Sequence, residues 1–180
     1  IEIKPSDVQW SGDIVAVRSK TSIAVLAFNP DHGDQWEDGS GFEDAFDVIY
    51  NVEAKASSIC WANNTLLFTE VNKVNRISGG IILSTASLRV PIDIVGYLPR
   101  DGVIVLADQQ RNIIGVNLPR ELLDFEEAVV ADDEEEEEDF IDTSIIPENY
   151  RARTAKFLKQ IGKLKLALEV ANDSPMKFEL

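Results

Sequence analysis

The sequence predicts a mainly β chain with α: C-terminal blades of a β-propeller followed by the first helices of an α-solenoid. Three observations carry that prediction. Up to about residue 118 the chain is a succession of short segments rich in Val, Ile, Phe and Tyr, separated by turn residues. Within that region one unit recurs: an aromatic residue, a short turn, then an apolar strand. Beyond Pro119 the apolar residues adopt the three-and-four spacing of a helix.

Taken in order, VQW and IVAVRS flank Ser11-Gly12-Asp13, a turn that tolerates the positive φ of a tight hairpin. SIAVLAF and FDVIYNV follow, separated by an acidic, Gly-containing stretch from about Asn29 to Gly41. SSICW and TLLFTE flank Asn63-Asn64, NKVNRI and IILSTA flank Ser78-Gly79-Gly80, and IDIVGYL and VIVLAD flank Arg100-Asp101-Gly102. NIIGVNL closes the set. Such a series reads as antiparallel hairpins, one after another.

The recurring unit is visible in QWSGDIVAV, CWANNTLLF and GYLPRDGVIVLA. Its anchors, Trp10, Trp61 and Tyr97, stand 51 and then 36 positions apart, and the acidic stretch accounts for the longer interval. A period near 40 residues with about four strands per unit is that of propeller blades, with a β-sandwich as the structural alternative. At equivalent blade positions, Trp10 and Trp61 are expected to pack in the core. Propellers close with roughly four to eight blades, and this chain offers about three. The last unit, 92–117, has only three strands before Pro119, so its fourth is expected from elsewhere. Residues 1–118 are therefore expected to be a partial propeller whose other blades lie upstream. The only methionine, Met176, also suggests a piece of a longer polypeptide.

Residues 119–180 read as the start of an α-solenoid, with an acidic linker at 131–142. Pro119 suits an early helical position, and Leu122, Leu123, Phe125, Ala128 and Val129 form the expected apolar side. Pro147 opens a second helix with the stripe Ala152, Ala155, Phe157, Leu158 and Ile161, and Gly162 marks its C-terminal cap. LKLALEVA follows, with Leu164, Leu166, Ala167, Leu168 and Val170. Asp173 or Ser174 could cap a further helix starting at Pro175.

An apolar content of 44% with 27% charged residues in 180 suits a chain with a buried core and excludes wholesale disorder. The net charge of −15 disfavours nucleic acid and anionic membrane surfaces. That acidity is local, because 31–53 hold eight acids and 124–142 hold twelve, with no Lys or Arg in either. Removing these twenty turns −15 into +5. From Tyr150 onward seven bases face three acids. No apolar run approaches the roughly 18–20 residues of a membrane span, and IEIKPSDVQW lacks signal-peptide blocks, so a soluble cytosolic chain is expected. One Cys, Cys60, forbids an intrachain disulfide, and one His with one Cys argues against structural zinc.

Few residues invite chemistry. DQWEDG could suggest a calcium loop, but from Asp34 it puts Trp36 at the third position and Ala45 at the twelfth, where a bidentate Glu is required. The run Asp132–Asp139 reads as a solvated, self-repelling linker rather than a chelator. His32 has no nucleophile at a recognisable spacing, and Cys60 beside Trp61 reads as packing. The bases from Arg151 to Lys165 alternate with the apolar stripe as a solvated helix face does. No catalytic constellation emerges.

EDAFDVIYNVEA (43–54), VNRISGG (74–80), GYLPRDG (96–102), IPENYRARTAKFLKQIGKLKLALEV (146–170) and the closing MKFEL resemble, in order, the β′-subunit family of coatomer, the COPI vesicle coat. The α-subunit has a similar helical entry, and the EDAF and GYLPRDG segments favour β′. The resemblance implies the end of a second WD-repeat propeller, a joining segment and the first solenoid helices. It implies a non-enzymatic scaffold in Golgi-to-ER and intra-Golgi transport, without cofactor or small-molecule substrate, cytoplasmic and peripheral on Golgi membranes and coated vesicles. Partners would be other coatomer subunits, especially the α-subunit, and the rest of the same chain. Phe157, Leu158, Ile161, Leu164 and Leu168 are then the candidates for inter-subunit or junction packing. Cargo-signal reading belongs to the family's N-terminal propeller, so no cargo-binding residue carries over. DHGDQWEDGSG and the acids of 132–139 are enlarged relative to the family pattern, and no role transfers to them. The alternative is an acidic propeller-solenoid scaffold or chaperone for basic partners outside this coat.

Overall fold

Apolar residues alternating with a period of two, cut repeatedly by turn residues, favour short antiparallel strands over any longer element. The computed structural model describes residues 4–29, 45–131 and 142–171. His32, the DQWEDG stretch, the acidic run from Asp132, and the helix start expected at Asp173–Pro175 lie outside them. The chain divides into two compact units, Ile1–Asn117 and Leu118–Leu180.

Among the described residues the first unit is built of three antiparallel sheets. β1 (Asp7–Ser11), β2 (Ile14–Arg18), β3 (Ser22–Phe28) and β4 (Phe46–Glu53) form the first, in that order. β5 (Ser58–Ala62), β6 (Thr65–Glu70), β7 (Lys73–Ser78) and β8 (Ile81–Ser87) form the second. β9 (Ile92–Leu98), β10 (Val103–Asp108) and β11 (Ile113–Asn117) form the third, which has three strands. Each segment read as a strand coincides with one of these, and the sheets follow one another as blades do. β5, the inner strand of the second sheet, touches both β1 and β9.

The turns explain the registers. Gly12, Asn63 and Gly102 adopt φ of 58°, 53° and 61°, and Gly79-Gly80 adopt 54° and 75°. One turn was not announced by its residues: Glu70 pairs with Lys73 and leaves Val71 at φ 54°. A β-branched side chain crowds the backbone in that region, and Val71 is 66% exposed, so no packing offsets the strain. The turn clasps the approach to β9, because Ile92 N donates to Val71 O at 2.8 Å and Leu88 N to Asn72 O at 2.8 Å. Between β3 and β4 the chain leaves and returns through a narrow neck. Phe28 pairs with Phe46, and Asn29 N donates to Ala45 O at 2.9 Å.

The core lies between sheets. Ala16, Ile23 and Val25 of the first meet Ile59, Leu66, Phe68 and Ile77 of the second, with Tyr50 and Trp61 packed at the margin. Cys60, Leu67, Arg76 and Leu83 pair in register and so share the second sheet's opposite face.

In the second unit α1 (Arg120–Ala131), α2 (Glu148–Gln160) and α3 (Leu164–Ala171) follow, with a 3₁₀ turn at Thr143–Ile145. In α1 the expected side is corrected: Ala128 is exposed and Glu126 is buried. At about 100° per residue, Glu126 falls in line with Leu122 and Val129 while Ala128 lies on the flank. In α2, Tyr150 and Thr154 join Ala155, Phe157 and Leu158 in the core, whereas Ala152 and Ile161 are half-buried. Thr154 is tolerated there because its hydroxyl donates to Tyr150 O at 3.1 Å. α2 ends as expected at Gly162, whose φ is 87°. Gly162 N donates to Lys159 O and Lys163 N to Leu158 O, the paired bonds of a Schellman cap. That turn lays α3 against α2.

Val71→Asn should relieve the turn strain and raise unfolding free energy by about 1 kcal/mol in a denaturant titration. Phe68→Ala should lower it by about 3–5 kcal/mol. Burial pushes the Tyr50 phenol up to about 12. The unfolded phenol ionises near 10, so the native state holds the extra proton between the two and stability falls as pH rises from about 10 to 12. Tyr50→Phe should flatten that decline in alkaline unfolding curves.

Candidate assembly surfaces

The polar groups of the first unit act mostly between sheets. From the second sheet to the first, Trp61 Nε1 donates to Gln9 O at 3.0 Å. In the other direction Ser11 Oγ donates to Asn63 O at 3.3 Å, and Arg18 Nη1 to Ala56 O at 2.9 Å. Arg18 Nε is buried without a hydrogen bond, and Asp7 at 3.9 Å is near enough to balance its charge but too far to accept from it. From the third sheet to the second, Ile94 N donates to Ser58 Oγ at 2.8 Å. Ser58 Oγ is held in turn by Thr69 Oγ1 at 2.7 Å, and the fully buried Thr69 also meets Ser57 Oγ at 2.8 Å.

These contacts fall at matching places. Asp7 pairs with Arg18 as Ser58 pairs with Thr69; Arg18 reaches Ala56 O in the link that leads into the second sheet, and Ser58 accepts from Ile94 of the third. Gln9 and Cys60 are both third in their inner strands, and each receives the aromatic anchor of the sheet that follows. Trp61 lands on Gln9, and the backbone N–H of Tyr97 points at the Cys60 sulfur. Burial pushes the Cys60 thiol up, with that backbone contact opposing it, and Sγ donates to Trp61 O at 3.4 Å. A thiol raised in this way is a packed group and a weak nucleophile at neutral pH.

Trp10 corrects the expectation of core packing. Its ring lies against Phe28 and Phe46 at centroid distances of 6.3 and 6.0 Å, yet it is 55% exposed. Val8, Trp10 and Val48 occupy the face of the first sheet turned away from the second, and all three are exposed. Val95, Leu98 and Ile113 of the third sheet are exposed as well.

A cleft of about 600 Å³ is lined by Thr21, Ser22, Asn51, Glu53, Ala54, Lys55 and Glu70. Glu70 braces it: Oε1 accepts from Lys55 N at 2.9 Å and Oε2 from Asn75 Nδ2 at 3.4 Å. Arg76 is buried, with Nη1 donating to Thr85 Oγ1 at 3.2 Å. Arg18 and Arg76 escaped the sequence reading, although a base inside an apolar strand, as in IVAVR and KVNRI, is a visible signal. Among the described residues no group of three or more His, Cys, Asp or Glu could hold a metal ion, and no helix is long and apolar enough to cross a membrane.

Of the helical candidates, Phe157 and Leu158 are fully buried and brought together in the core of the second unit, and Ile161 is half-buried at the end of α2. Leu164 and Leu168 are exposed, one turn apart on α3. Lys156, Lys159 and Lys165 are exposed around the α2–α3 turn.

The family profile described as the COPA/B second beta-propeller matches residues 1–108. Over its whole length the chain is similar to coatomer subunit beta′ of Homo sapiens, 32% identical over 191 aligned positions, and to that of Mus musculus, 31% identical. Coatomer subunit beta′-2 of Arabidopsis thaliana is 30% identical over 189. The chain spans about a fifth of these relatives, 21% of the first two and 20% of the third.

Ser58→Ala should cost about 1–3 kcal/mol in chemical denaturation by stranding Ile94 N–H and Thr69. Ser11→Ala, whose 3.3 Å bond is marginal, should cost about 0.5 kcal/mol or less.

Proposed function

The chain belongs to the COPA/B second beta-propeller family of coatomer subunits, and from that premise we propose that it is a non-catalytic scaffold segment of a β′-type subunit of the COPI vesicle coat. The observation that carries the proposal is the family match across the strand region together with similarity to coatomer beta′ along the whole chain. In this reading residues 1–118 are part of a propeller and 119–180 are the start of an α-solenoid, with an acidic linker at 131–142. The subunit works in Golgi-to-ER and intra-Golgi transport, on the cytoplasmic side of Golgi membranes and on coated vesicles, held there through the coat. Its partners are other coatomer subunits, the α-subunit foremost.

The mechanism is geometric. Sheets clasped through Ser58 and Trp61, whose bonds tie one inner strand to the next, and through Arg18, which bonds the link leading into β5, give a stiff block. Phe157 and Leu158 hold α2 to α3, while Leu164 and Leu168 present an apolar pair to whatever packs on α3. No step in this role forms or breaks a covalent bond.

Affinity purification of the full-length protein from its native cytosol, with a salt series, tests the proposal. Stoichiometric recovery of the other coatomer subunits, persisting at high salt, is the expected result, and a single basic partner that washes off with salt would sink it. Deleting 132–139 should leave that recovery unchanged. Leu164→Asp with Leu168→Asp should reduce recovery of the α-subunit about tenfold or more, with the circular dichroism spectrum preserved.

A further inference from the structure

The turn between β6 and β7 holds a residue that its own packing does not reward. A two-residue hairpin turn suits Gly, Asn or Asp at a position of positive φ, yet Val71 stands there at 54°. In the third sheet the matching turn puts Arg111 at φ 66° and braces the loop with a side chain, Asp108 Oδ1 accepting from Gln110 N and Asn112 N at 2.8 Å each. Val71 is 66% exposed. A scattered exposed valine needs no explanation, whereas a strained one bears a cost that burial does not recover.

The turn is held firmly against a second exposed segment. Val71 O accepts from Ile92 N at 2.8 Å, Asn72 O accepts from Leu88 N at 2.8 Å, and Asn72 Nδ2 donates to Leu88 O at 2.7 Å. Between those two anchor points run Arg89, Val90 and Pro91, all exposed, Val90 by 39%. The clasp therefore sets two valines and a proline beside the exposed Arg89 and Lys73, and residues 71–73 and 88–92 contain no acid. Glu70 stands opposite Lys73 in the register, but its carboxylate is taken up by Lys55 N at 2.9 Å and Asn75 Nδ2 at 3.4 Å.

We infer that this clasp is a docking surface for another polypeptide, which contributes a segment carrying an apolar residue beside Asp or Glu. Val71 and Val90 form the apolar centre of the contact and Lys73 and Arg89 its charged rim, the arrangement of a protein interface on a small scale. Charge complementarity selects an acidic segment, and the apolar centre selects a peptide over a free anion. The net charge of −15 opposes approach to an anionic bilayer. The chain's own acidic stretch departs after Asn29, at the Phe28–Phe46 end of the first sheet, whereas Glu70 meets that sheet at its other end, in the cleft with Ser22 and Glu53. Because the clasp fixes the turn before any partner arrives, little ordering entropy opposes the contact. Nothing in this surface depends on a role in a coat.

p-Benzoyl-phenylalanine in place of Pro91, photolysed in the full-length protein in its native cytosol, joins the occupant covalently, and mass spectrometry of the joined peptide reads its chemistry. The expected product is a peptide of another polypeptide with Asp or Glu beside an apolar residue. Val71→Asn should raise the denaturation midpoint of the protein and yet lower the cross-link yield about tenfold, a pairing that loss of folding does not produce. Lys73→Glu with Arg89→Glu should lower the yield as far, and replacing the captured segment's acids by Lys should restore it in that charge-reversed variant. A cross-link within the same chain, a captured peptide without acids, no cross-link at all, a yield unchanged in Val71→Asn, or no restoration by the Lys exchange would overturn the inference. So would co-sedimentation of the parent with phosphatidylserine vesicles that the charge-reversed variant loses. Coatomer recovery is scored separately, so either reading can fail without the other.

Discussion

A sheet buried on both faces, with Arg76 among the buried residues of one of them, cannot stand alone in water, and the second sheet is of this kind. Ile59, Leu66, Phe68 and Ile77 line one side, Cys60 and Leu67 the other. Both sides must be covered, and the covering elements here are sheets of the same build, so the stacking of blades follows from the amphipathic pattern of a single hairpin. At roughly 25 cal/mol per Å² of apolar surface, this non-directional term dominates the energy. It does not set the relative position of the sheets. That is fixed by the directional bonds of the inner strands.

Those bonds use one set of places with different chemistry at each interface. A guanidinium and a carboxylate, Arg18 and Asp7, stand where two hydroxyls, Thr69 and Ser58, stand in the following sheet. A backbone carbonyl at Gln9 serves as target where a sulfur does at Cys60. What recurs is the reach from one sheet towards the next. A body joined this way resists shear between neighbouring sheets, since sliding would break these part-buried bonds together. Resistance to shear suits the scaffold role proposed for this chain.

The strands were legible because their turns are chemically marked, with Gly12, Asn63, Gly79-Gly80 and Gly102 each standing where positive φ is needed. Val71 shows the limit: propensity opposes that turn, and the clasp to Ile92 and Leu88 imposes it from outside the local sequence. Burial was harder to read than element type. Trp10 and Trp61 are equivalent in sequence and differ in exposure because burial depends on what lies opposite. Glu126 and Thr154 were passed over since a polar residue on an apolar face is set aside by pattern, although geometry places both in the core. On α3 the run LKLALEVA is apolar on more than one side, so composition alone could not tell Leu166, which is buried, from Leu168, which is not.

The neck between β3 and β4 has a consequence of its own. Because Phe28 pairs with Phe46 and Asn29 bonds to Ala45, the two strands are already in register at the point where the chain departs. The entropy of closing a loop at that point grows by only about 0.6 kcal/mol for each doubling of its length. Lengthening the chain closed there therefore costs little entropy. The neck is a natural port for cargo of the experimenter's choosing: a fluorescent domain or an affinity tag spliced between Asn29 and Ala45 would report on the assembled protein while leaving the stacked sheets as they are.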